Sequence, residues 1–234
     1  MSLLRIRWRV VPSFFCALAA AIVLSGIGVT VLGEDPHGAA PAGVAPKEAM
    51  EKLKAGNRRF VEQKLSNKEL ATRRAETVNG QQPYAIILAC ADSRVAPEFV
   101  FDETIGSLFV IRVAGNVVDP DMLGSIEYAV EHLHTHLIVV LGHDNCGAVT
   151  AAISKEPAHG NLDELIHKID IGKDLPADKT KALSEAVRHN ALHQAQAMLS
   201  MSEPIKKAVE EHEVQIEAAV YSLDSGEVKW VASK

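Results

Sequence analysis

The stretch THLIVVLGHDNCGAVTAAIS, residues 135–154, reads as a strand that runs through a tight turn into a helix. Its apolar residues are nearly continuous rather than alternating, which is the pattern of a strand covered on both faces. Two runs upstream read the same way: YAIILAC (84–90), bounded by the turn-forming NGQQP, and SLFVIRV (107–113). Residues 123–134, between the second and third runs, carry helical periodicity, and 146–154 can open another helix after the third. Strand, helix and strand in alternation predict an α/β fold with a mostly parallel central sheet flanked by helices.

Working outward, residues 162–171, 179–201 and 204–212 read as helices. The run 214–223 reads as a strand, DSG (224–226) as a tight turn and 227–231 as a final strand, so a terminal hairpin is expected to extend the sheet. On the N-terminal side, 47–63 and 68–79 read as a helical arm. Met50, Leu53 and Phe60 give the first of these an apolar stripe that suits either its own core or a partner, and Gly56 is expected to weaken or bend it.

In open α/β sheets, ligands collect beyond the carboxyl ends of the strands. Cys90 ends one predicted strand, His143 ends another, and Cys146 starts the next helix. The H-x-x-C spacing lets two ligands on one turn converge on one ion. Two thiols and an imidazole are one short of a filled tetrahedral zinc site, and catalytic zinc sites keep one position open for water. Asp92 and Arg94 are the candidates for controlling that open position. A lone Cys at a strand end is more often a small buried hydrophobe, so the reading rests on the residues together. His132, His134 and His136 alternate across a predicted helix end and read as solvated; His37, His159, His167, His189, His193 and His212 are given no role. A disulfide between Cys90 and Cys146 is the plain alternative in an exported domain, but it leaves His143 and the ADSR sequence unexplained.

The chain has 234 residues and a net charge of −6, with an aromatic content of only 5%. No basic stretch lies outside the N-terminus, so nucleic-acid binding is not expected. Arg5, Arg7 and Arg9 precede an uncharged, mostly apolar run from Val10 to Gly33. Residues 1–33 therefore read as a signal peptide or an N-terminal membrane anchor, and both send the rest of the chain out of the cytoplasm, to a periplasmic or extracellular location. Contact with a membrane is expected only through this segment, if it stays uncleaved. Residues 34–46, rich in Pro, Gly and Ala, read as a flexible linker, and 47–234 as the catalytic domain.

CADSR (90–94) followed by GHDNCGA (142–148) resembles the β-class carbonic anhydrases. GNRRF (56–60), LFVIRVAGN (108–116), GSIEYAV (124–130) and AAVYSLDSGEV (218–228) are similar to that family too. The resemblance implies one Zn2+ per subunit held by Cys90, His143 and Cys146, and reversible hydration of CO2 to bicarbonate and a proton. It implies that Asp92, paired with Arg94, hydrogen-bonds the hydroxide that attacks CO2, or in some members closes the site as a fourth ligand. It also implies a homodimer or higher homo-oligomer. Hydrolysis of carbon disulfide or carbonyl sulfide on the same scaffold, and a non-catalytic zinc or redox-sensing module, stay open as alternatives.

Overall fold

The computed structural model describes residues 43–155 and 157–231. The leader read in residues 1–33, and linker residues 34–42, lie outside them. Helices α1 (Pro46–Val61) and α2 (Leu70–Glu76) lead into strand β1 (Ala85–Ala89). Next come the short helix α3 (Pro97–Val100), strand β2 (Leu108–Arg112), a 3-10 turn at Ala114–Asn116 and helix α4 (Pro120–Leu133). Strand β3 (Leu137–His143) then runs into α5 (Gly147–Ser154). Helices α6 (Asn161–His167), α7 (Lys179–Met201) and α8 (Glu203–Glu210) precede the hairpin of β4 (Gln215–Tyr221) and β5 (Val228–Val231).

One five-stranded sheet has the order β2-β1-β3-β4-β5. The pairs β1–β2, β1–β3 and β3–β4 are parallel, and β5 joins β4 antiparallel. Every residue of β1 and β3 is buried, as their unbroken apolar runs predict. Alternate side chains feed two cores. Ile87, Ala89, Val139 and Leu141 pack with Leu53 of α1 and with Val100 and Phe101 at α3. Ile86, Leu88, Ile138 and Val140 pack with Ile126 of α4, Met198 of α7 and Ile205 of α8. Each fully buried side chain of this size contributes about 1.5–3 kcal/mol of transfer free energy.

Element positions match the sequence reading to within a few residues, and the differences have local causes. Helix α4 begins at Pro120, three residues early, because the Asp119 carboxylate caps it by accepting from the N–H groups of Asp121 and Met122. Helix α6 stops at His167 rather than 171. The Lys168 carbonyl accepts from Gln194 Nε2, and the Asp170 N–H donates to Asn190 Oδ1, so α7 claims that backbone. Gly56 neither breaks nor shortens α1. A Cβ there would stand 1.7 Å from the Phe101 carbonyl oxygen, so the glycine lets α1 lie against the end of α3. Met50 and Leu53 face the chain's own core. Pro46, assigned to the linker from sequence, opens α1, and Val44 packs on the core.

Candidate metal centre

The chain passes from β1 to β2 on one side, then crosses back through α4 to β3 on the other side of β1. The carboxyl ends of β1 and β3 therefore flank the point where the winding reverses, where α/β sheets open a crevice. Cys90 comes directly after β1, His143 is the last residue of β3, and Cys146 is the N-cap of α5. The bend between the last two is made at Asn145, whose φ of 52° is in the left-handed region that Asn tolerates. One ligand atom from each of Cys90, His143 and Cys146 lies within 4.8 Å of the other two. All three residues are buried, and both cysteines are free thiols, so the disulfide alternative is not what the structure shows.

The His143 ring bonds through Nδ1 to the Asp144 carbonyl oxygen at 2.8 Å. A carbonyl can only accept, so Nδ1 carries the proton and Nε2 presents its lone pair. That Nε2 is buried without a hydrogen-bond partner among the described residues. An orphaned buried acceptor beside two thiols is what a missing cation would explain. The hydrogen bond from Cys146 holds the Cys90 thiol well below the ordinary thiol range; burial opposes this, and the backbone N–H groups of Asp92 and Gly115 assist. Cys146 is pushed up because the two thiols share a proton, and burial adds to the effect. A dication would replace that shared proton and leave both sulfurs as thiolates. Two sulfurs and one imidazole nitrogen are a soft-to-borderline donor set that suits zinc.

Asp92 lies beside this cluster. Arg94 Nε donates to its Oδ1 at 2.9 Å, Arg94 Nη2 to its Oδ2 at 2.7 Å, and the Arg94 backbone N–H to Oδ1 at 2.9 Å. The bidentate guanidinium holds the Asp92 carboxyl well below the usual carboxylate range. Asp92 Oδ2 stands 3.9 Å from His143 Nε2, so the carboxylate reaches the edge of the cluster while committed to Arg94. All five residues singled out from sequence thus meet at one place.

The sequence reading gave no role to three residues that build this place. Arg112 donates from Nε to the Cys90 carbonyl at 3.2 Å and from Nη2 to the Asp92 carbonyl at 2.6 Å, pinning the C-x-D turn. The Gly115 N–H donates to Cys90 Sγ at 3.3 Å. Asp144 ties the His143 turn to the end of β4, as its carboxylate accepts from Ser222 Oγ at 3.0 Å and from the Leu223 N–H at 2.9 Å. Of the histidines set aside, His134 is the exposed left-handed C-cap of α4, and no further cluster of metal-ligating groups occurs among the described residues.

A family model described as carbonic anhydrase matches residues 85–228, from the start of β1 to the start of β5. The chain belongs to the β-class carbonic anhydrase family. It is 52% identical over 110 residues to carbonic anhydrase 2 of Mycobacterium tuberculosis, covering 47% of this chain and 53% of that one. It is 35% identical over 178 residues to a carbonic anhydrase of Pseudomonas aeruginosa, covering 69% and 76%. The chain thus spans about half the length of the first of these relatives. Among solved structures, a Coccomyxa β-carbonic anhydrase in complex with acetazolamide superposes with a TM-score of 0.64 at 27% identity, over 78% of this chain and 86% of that one. The carbonic anhydrase match takes in the whole C-x-D-x-R and H-x-x-C constellation.

Proposed function

We propose that this chain catalyses the reversible hydration of CO2 to bicarbonate and a proton, at a zinc ion held by Cys90, His143 and Cys146. The observation that carries the reading is the buried, unpartnered His143 Nε2 facing two thiols, with an Arg-bound carboxylate at the edge. Zinc, when bound there, supplies hydroxide at neutral pH by lowering the pKa of water from 15.7 to about 7. The chain's own residues do the rest. Arg94 keeps Asp92 ionised, so Asp92 accepts a hydrogen bond from the attacking hydroxide and turns its lone pair toward the carbon of CO2. The side chains packed around the two thiols, among them Val117, Val149 and Val187, are apolar and suit a neutral substrate. The Arg94 side chain is about half exposed, so this edge of the site is open to solvent for exchange of bicarbonate.

Stopped-flow CO2 hydration tests the reading. Cys146→Ser removes one metal-binding sulfur and is expected to abolish activity. Asp92→Asn, which removes the acceptor charge, is expected to lower kcat by roughly 10–100-fold. A wild-type protein that binds zinc and does not hydrate CO2 sinks the proposal. We also read the chain as exported and homo-oligomeric. Support for these readings comes from the arginine-flanked apolar leader and from the exposed Leu70, Val78 and Phe99. Cell fractionation and a solution mass above the 25.2 kDa of one chain check the two readings.

A further inference from the structure

Helix α7 carries two amide side chains that the reaction does not use and that the fold buries completely: Asn190, 0% exposed, and Gln194, 2% exposed. They stand one helical turn apart and are bonded to each other, Gln194 Nε2 donating to Asn190 Oδ1 at 3.1 Å. The remaining bonds go to two loops. Asn190 Nδ2 donates to the Gly115 carbonyl at 2.8 Å, and the Asp170 N–H donates to Asn190 Oδ1 at 3.3 Å. Gln194 Nε2 donates to the Lys168 carbonyl at 2.8 Å, and the Val118 N–H donates to Gln194 Oε1 at 2.9 Å. The amide orientations are fixed by their partners, because a carbonyl can only accept and a backbone N–H can only donate.

The segment so held is the one whose N–H reaches a metal-binding sulfur. Gly115 donates to Cys90 Sγ at 3.3 Å from a backbone with φ of 68°. That conformation is open to glycine at no steric cost, and a Cβ there would meet Ile169 Cδ1 at 2.8 Å. The peptides on the two sides of Gly115 are therefore fixed from opposite directions. One is aimed at Cys90 Sγ by its N–H, and the other is clamped to α7 through its carbonyl. If the clamp were lost, the Gly115 carbonyl would be a buried acceptor without its donor, and the loop would turn to find another.

We infer that Asn190, braced by Gln194, is a positioning residue that holds the Gly115 N–H on Cys90 Sγ and so sets how strongly that sulfur donates to the metal. The inference rests on the metal site proposed above. A thiolate that accepts a hydrogen bond has its lone pairs lowered in energy and binds a cation less covalently; hydrogen bonds to sulfur tune metal–thiolate centres in this way. Asn190 acts through Gly115 and touches neither substrate nor the reacting atoms.

The experiment is electronic absorption of the full chain loaded with Co2+, which reports thiolate donation directly. Asn190→Leu is compared with wild type and with Met198→Ala, a cavity variant of a fully buried residue on the same helix. In Asn190→Leu the thiolate-to-cobalt charge-transfer band is expected to move to lower energy, with zinc release to a chelator changed by about tenfold or more. Met198→Ala is expected to lower Tm and leave the band in place. An Asn190→Leu band that coincides with wild type overturns the role of Asn190 alone. A wild-type protein without thiolate-to-cobalt bands overturns the metal site beneath it. Should Asn190→Leu not fold, the wild-type protein loaded with 113Cd still decides: a scalar coupling between the metal and the Gly115 amide proton is expected, and its absence overturns the inference.

Discussion

His143 is aimed by its neighbour in the chain, Asp144. The Asp144 carbonyl accepts the Nδ1 proton, the Asp144 N–H donates to the Tyr221 carbonyl at 3.0 Å, and the Asp144 carboxylate is held by Ser222 and Leu223. The end of β4 therefore orients an imidazole that belongs to β3. Asp144→Ala is expected to leave CO2 chemistry intact at saturating zinc and to weaken zinc affinity on the order of tenfold. Competition against a chromogenic chelator measures this, and an unchanged affinity contradicts it. Cys90, Asp92, Arg94, His143 and Cys146 were legible in the sequence because their chemistry resides in residue type and spacing. Arg112 and Asp144 were not. Arg112 acts by bonding backbone carbonyls and Asp144 by tying its turn to Ser222 and the Leu223 N–H, and those partners are brought close only by the fold.

At the scale of elements, β1 and β3 announce themselves because a strand covered on both faces needs an unbroken apolar run. Helix α3 and the 3-10 turn at Ala114–Asn116 left no such trace, since neither is long enough to show a period. Gly56 was misread for a related reason. Propensity treats a helical glycine as a weak point, whereas here the missing side chain is what admits the Phe101 carbonyl. Gly56→Ala gains at most about 1 kcal/mol of helix propensity. The collision of its Cβ with backbone costs roughly 1–3 kcal/mol or more. Net destabilisation in urea unfolding is the expected outcome, and a stabilised variant contradicts the close approach.

For the whole molecule, the sheet order places the ends of β1 and β3 side by side, so residues far apart in sequence meet in one cluster. The N-terminal arm is tied to that sheet by buried polar bonds. Asn57 Nδ2 donates to the Val100 and Gly226 carbonyls, and the Val228 N–H donates to its Oδ1. Nearby, Asp102 is a fully buried carboxylate. Burial alone would raise its pKa, but Lys68, Arg59 and the Ser66 N–H and hydroxyl outweigh burial and hold it down at about 2. A depressed folded-state pKa gives stability that is present above the ordinary value of 3.8 and lost as pH falls through about 2. The stake is about 2 kcal/mol. Asp102→Asn should therefore be less stable than wild type at neutral pH, with the gap closing as both are taken from pH 4 to pH 2. A gap independent of pH contradicts this account of the anchor.

The central claim is that Cys90, His143 and Cys146 hold one zinc per chain and that CO2 is hydrated there. Its most direct test is to strip the protein of metal, add zinc back in steps and measure CO2 hydration at each step. The rate is expected to rise in proportion to zinc and to stop rising at one equivalent per chain. A rate that does not depend on added zinc, or a fully loaded protein without hydration activity, would contradict the account.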